Sequence, residues 1–204
     1  MIDFERVTAF AVIADAAMRR MPARYQRAVA VAAITSHIVP GTISFSLATH
    51  VVATPAALQR WVDARIADDP VLVGHRLMRM SRLLRAAGLD RSLARSFSAE
   101  GRYDITDIHR GRMIPLAVSA LYADVLAIDE RALACRPDIA RTGNALATAA
   151  LINALATWVI FFRRAATGPD NAVLREKVLT RLDHDLRRGG AVPAVIASLA
   201  PAIH

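Results

Sequence analysis

The chain has 204 residues, 54% of them apolar, and a mean hydropathy of +0.32, which excludes a disordered or fibrous polypeptide and leaves a globular or a membrane protein. The formal net charge of +8 is carried almost wholly by arginine, with Lys177 the only lysine. This fits either arginine-rich coding in a GC-rich genome or a polyanion partner. The single cysteine, Cys135, cannot close an internal disulfide, so a reducing cytoplasm is the expected compartment.

Alanine, leucine and arginine dominate, and glycine and proline number nine each, too few for the turns of an all-β chain; the expected class is all-α. The N-terminus reads as lacking a signal peptide, because Asp15 soon interrupts its apolar stretch. Residues 4–20 read as an amphipathic helix with Phe4, Val7, Phe10, Ala11, Ala14, Ala17 and Met18 along one stripe. Between Arg27 and Arg60 there is no charged residue, and this stretch holds the Pro40-Gly41 break and several β-branched residues. Thr54-Pro55 is a helix start, with threonine as cap and proline at the first helical position. Asp69-Pro70 repeats the device and opens a predicted helix with Leu72, Leu77, Met80, Leu83 and Leu84 inward, closed by Gly88. A short helix over about 90–99 and a longer one ending near Ile128 follow, the latter with a kink or start at Pro115. Residues 138–166 form the most apolar predicted helix. After Gly168-Pro169-Asp170 a last helix carries Leu174, Val178, Leu182 and Leu186 at four-residue spacing and stops at Gly189-Gly190.

The uncharged run from Asn144 to Phe162 is just long enough for a bilayer, which needs about 20 residues. Asn144, Thr148, Asn153 and Thr157 interrupt it, and several alanines dilute it, so it reads as the central helix of a soluble bundle. No membrane association is expected.

In this order the elements resemble a known family. The segment "ATPAALQRWVDARIADDP" resembles the helix leading into the regulatory domain of TetR-type transcriptional regulators. "HRLMRMSRLLRAAGLDRSLARSFSAEG" is similar to that family's long core helix and the short helix after it, and residues 134–190 look like its last two helices. The resemblance covers roughly residues 54–190 and rests on the order and spacing of helices. It implies a helical bundle with an N-terminal three-helix region over 1–53, a ligand-binding and dimerisation domain over 54–190 and an apolar tail over 191–204. It further implies a repressor that binds operator DNA as a homodimer, through helices near 145–162 and 172–188, and is released by a small apolar or aromatic effector. "VAAI" at Val31–Ile34 and "PGT" at Pro40–Thr42 resemble pieces of the helix-turn-helix. The recognition helix expected after Thr42 lacks the family's aromatic pair and basic residue. Three readings account for that departure: a diverged module, a lost one that leaves a ligand-binding dimer without DNA, or a shifted reading frame over about 22–53. On the first reading, Arg19, Arg20, Arg24 and Arg27 contact phosphates, and Thr42 and Ser44 lie at the recognition turn. A membrane-associated helical protein is the remaining alternative.

Chemistry is sparse. Asp104, Asp107 and His109, and separately Asp183 and Asp185, are candidate metal ligands, but they also stand where caps and a polar helix face are expected; no metal site is assigned. Zinc spacing, a nucleophile elbow and nucleotide-binding glycine motifs are absent, so no enzyme activity, catalytic residue or cofactor is assigned. A ligand pocket is expected from Met78, Met80, Phe97, Met113, Leu116, Tyr122, Asn153, Thr157, Trp158 and Phe161.

Overall fold

Five strands form one mixed sheet in this computed structural model, which describes residues 5–15, 26–66, 71–89, 97, 101–105, 143–165 and 169–188. In chain order they are β1 (Arg6–Ala14), β2 (Ala28–Val39), β3 (Thr42–Val51), β4 (Val71–Gly74) and β5 (Arg102–Asp104). The helices are α1 (Pro55–Arg65), α2 (Leu77–Ala86), α3 (Gly143–Ala165) and α4 (Pro169–Arg188). Across the sheet the order is β3-β2-β1-β4-β5. The first three strands are an antiparallel meander, whereas β4 and β5 run parallel to β1 and are joined by α2.

The all-α expectation is therefore overturned. Where a helix over 4–20 is expected, Arg6–Ala14 is strand β1, and the residues likened to a helix-turn-helix are β2 and β3, with Pro40-Gly41 as their hairpin turn. Gly41 has φ +80, the left-handed conformation that glycine adopts without strain. Val71–Gly74 is a strand where a helix opened by Asp69-Pro70 is expected. The apolar positions Leu72, Leu77, Met80, Leu83 and Leu84 are nevertheless all buried. Other expectations hold. Thr54 caps α1, its Oγ1 accepting from the Ala57 amide at 3.2 Å, and α3 and α4 fall within a few residues of their predicted spans. The helices expected near 90–99 and up to Ile128, and Cys135, lie outside the described residues, Phe97 apart.

Two cores flank the sheet. On one face Val7, Ala9, Ala11, Ala30, Ala32 and Ile34 pack against Trp158, Phe161 and Phe162 of α3, and Val178 and Leu182 of α4 join them. On the other face Phe10, Val31, Ala33 and Leu72 meet Leu58 and Val62 of α1 and Leu77, Met80, Leu83 and Leu84 of α2. The layering is thus helix–sheet–helix, and α1, immediately after the 53/54 boundary, shares a core with the strands before it. The strand alanines are the complement of the α3 aromatics: small side chains on the sheet leave room for large ones from the helix, which is how close packing is reached.

Polar pairs fix this assembly. Trp158 Nε1 donates to Ser36 Oγ at 3.1 Å, and that hydroxyl donates in turn to the Val7 carbonyl at 3.3 Å, tying α3 to β2 and β1. On the opposite face Thr8 and Thr35, directly paired across β1 and β2, share a buried hydroxyl–hydroxyl bond of 2.7 Å. Among the described residues no helix is long and apolar enough to cross a membrane; α3 is apolar because the sheet covers it.

Candidate functional site

Parallel strands β1, β4 and β5 point the same way, and in open α/β sheets the crevice beyond such carboxyl ends is where ligands bind. Here β4 ends at Gly74, in register with Phe10 of β1 and Asp104 of β5. The turn into α2 is tight. A Cβ on Gly74 would collide with the Leu77 side chain and come within 3.2 Å of Met80 Cε. Arg76 follows at φ 59, ψ 57, the one left-handed residue other than glycine among the described residues. Such a conformation costs about 1–3 kcal/mol and persists where neighbours enforce it.

The enforcing neighbour is Asp104. Its two carboxylate oxygens accept from the Arg76 amide at 2.9 Å and the Leu77 amide at 2.7 Å, so the aspartate at the end of β5 caps α2 from 27 positions downstream. A carboxylate in that position satisfies orphan amides and complements the helix dipole. Arg79, one turn on, donates through Nη2 to Oε1 of the buried Gln26 at 3.1 Å, joining α2 to the start of β2. Beside them His75 is half-buried, and its pKa lies below the ordinary 6.5. Burial is the main cause; Arg76 and Arg79 add to it, and Asp104 opposes it. Burial, helped by the positive field of the two arginines, keeps the imidazole neutral.

That field extends along α2. Leu77, Met80, Ser81, Leu83 and Leu84 face the core, whereas Arg76, Met78, Arg79, Arg82 and Arg85 are exposed. Arg79, Arg82 and Arg85 recur every three residues and step about 4.5 Å at a time along the axis. No acidic residue occurs between Arg76 and Leu89 in the sequence. By contrast, α4 mixes both signs, with Arg181 Nε on Asp185 at 3.0 Å.

The residues expected at sites fall as follows. Arg27 is exposed at the entry to β2, next to Gln26, while Arg19, Arg20 and Arg24 lie outside the described residues. Thr42 and Ser44 are exposed on β3. Of the pocket residues, Met80 and Phe97 belong to the α1/α2 core, where Phe97 lies 5.6 Å from the Phe10 ring. Trp158 and Phe161 are buried with the α3 core on the other face of the sheet, and Thr157 is buried on the same helix, its hydroxyl donating to the Asn153 carbonyl at 2.7 Å. Asn153 is half-buried and Met78 is 59% exposed. Met113, Leu116 and Tyr122 lie outside the described residues. Of the described pocket residues, the sheet thus separates Met80 and Phe97 from Trp158 and Phe161 rather than gathering them round one cavity. Among the described residues no three His, Cys, Asp or Glu side chains come together as metal ligands; Asp104 is a cap, and Asp107 and His109 lie outside them.

Sequence reasoning missed the α2 face and the Asp104 clamp. The available signal was the arginine repeat itself, Arg76, Arg79, Arg82 and Arg85, at helical spacing without an intervening acid. Comparison with protein-family models, curated proteins and solved structures finds no match to this chain.

Proposed function

We propose that the protein binds nucleic acid through the exposed arginine face of α2, as a binding protein without chemistry of its own. The observation that carries this reading is the row of exposed residues Arg76, Arg79, Arg82 and Arg85, at the cap and along one short helix that contains no acidic residue of its own. Guanidinium groups bind phosphates bidentately, and a row of them draws affinity from counterion release. The DNA partner expected from the sequence is kept, but the surface assigned to it moves to α2 from Arg19, Arg20, Arg24, Arg27, Thr42 and Ser44, the last two of which lie on a hairpin strand. An anionic membrane is disfavoured because a surface-lying helix must insert its apolar face, and that of α2 is spent on the core.

Anisotropy titrations with labelled duplex and single-stranded oligonucleotides over a series of salt concentrations test this. Wild-type protein should bind with affinity that falls steeply as salt rises. R82A/R85A removes two phosphate contacts and should reduce the slope of log K against log salt by about 2, with at least tenfold weaker binding at low salt. Salt-independent binding, or a variant that titrates as wild type does, would refute the proposal.

A further inference from the structure

The two edges of the sheet are finished differently. β5 presents three residues, a length that offers little template for another strand. β3 presents ten residues in unbroken register with β2, from Thr42 opposite Val39 to Val51 opposite Ala30, with no bulge. It contains no proline and no Lys, Arg, Asp or Glu, so its own sequence carries neither the proline nor the charges by which natural edge strands discourage pairing. The Val52 amide donates to the Val29 carbonyl at 2.9 Å, which sets the phase of the ladder. The even-numbered residues of β3 pair with β2 through the backbone. The odd-numbered ones, Ile43, Phe45, Leu47, Thr49 and Val51, therefore direct their amides and carbonyls away from β2, to the side on which no strand pairs among the described residues.

We infer that a second copy of this chain pairs antiparallel with β3, extending the sheet across a two-fold axis. Charge selects this occupant. The chain carries +8 overall, so two copies repel through most surfaces, whereas β3 lies in a stretch without a single charge from Ala28 to Gln59. Self-pairing there brings no like charges opposite one another, and the exposed side chains of Thr42, Ser44 and Ser46 can pair as hydroxyls across the seam. Ten paired residues run about 34 Å and supply on the order of ten backbone hydrogen bonds. A two-fold perpendicular to the sheet leaves both α1/α2 layers on the same side. On the nucleic-acid reading above, two arginine faces would then meet one strand together and gain avidity. The dimer itself does not depend on that reading.

Equilibrium sedimentation over a wide range of concentration is the test. The 22.1 kDa chain is expected to reach twice that mass. T49P deletes an outward amide without costing a bond to β2 and should return the monomer mass, whereas T49A should remain dimeric. Amide exchange on the wild type removes any dependence on how T49P folds: Ile43, Phe45, Leu47, Thr49 and Val51 should gain protection as concentration rises. A monomer at all concentrations, a folded T49P that still dimerises, or odd-numbered amides whose exchange ignores concentration would each overturn the inference. R82A/R85A should stay dimeric, so a failure of nucleic-acid binding and a failure of dimerisation read out separately.

Discussion

The two helical layers on either side of the sheet differ in what they leave for solvent. α3 brings Trp158, Phe161 and Phe162 onto strand alanines and is buried along most of its length, while α2 buries five side chains and turns an arginine row outward. Stability and binding are accordingly assigned to opposite layers. A substitution in α3 should cost folding free energy and leave the affinity of the folded fraction alone, and one on the outer face of α2 should do the reverse.

The largest effect belongs to the α3 layer. W158A should cost about 3–5 kcal/mol in urea unfolding, by the loss of a fully buried ring and the cavity it leaves. S36A should cost about 1–3 kcal/mol, because it strands the indole N–H. In W158F/S36A that N–H is gone, so the double variant should lose less than the sum of W158F and S36A. Additive losses would show that the Trp158–Ser36 bond contributes nothing.

Next comes the clamp beneath the α2 face. D104A removes a helix cap and should destabilise by about 0.5–2 kcal/mol while weakening oligonucleotide binding several-fold through displacement of Arg76. R76G relieves the left-handed strain and should stabilise the fold by about 1 kcal/mol, yet also weaken binding. If R76G gains stability with unchanged affinity, Arg76 does not belong to the binding surface.

The smallest effect is a pH dependence at the same place. The folded pKa of His75 lies below its ordinary 6.5, so the unfolded chain binds the extra proton. The contribution of His75 is complete above pH 6.5 and is lost as pH falls from there through the depressed folded value; H75Q should flatten that limb of the stability profile. A phosphate strand on α2 places negative charge near the ring, so oligonucleotide should raise the His75 pKa observed by NMR. No shift at saturation would place the nucleic acid elsewhere.

The same contrast explains what could be read from the sequence. α3 and α4 were legible because one is an uncharged run of helical length and the other repeats Leu174, Val178 and Leu182 every four residues. α1 announced itself through Thr54-Pro55. β1 and β2 did not, because both faces of each are covered. Val7 to Ala11 and Ala30 to Ser36 are buried without interruption, so the alternation that marks a half-exposed strand is missing. Alanine compounds this: Ala9, Ala11, Ala30, Ala32 and Ala33 count as helix formers by propensity but sit in strands because the large side chains above them need the space. Asp104 reads as a cap-forming aspartate, but the helix it caps lies earlier in the chain, a relation that no local pattern reveals.

The hydrogen bond from Trp158 to Ser36 spans 122 positions, and this carries a consequence for synthesis. The meander is complete at Val51, but α3, which packs on one of its faces, is not complete until Ala165 has been made. At ordinary translation speeds that interval is on the order of ten seconds. During it, an apolar sheet with an uncharged edge waits for its lid on the ribosome, and a chaperone that shields nascent strands should raise the yield of this chain more than a stabilising substitution in α3 would.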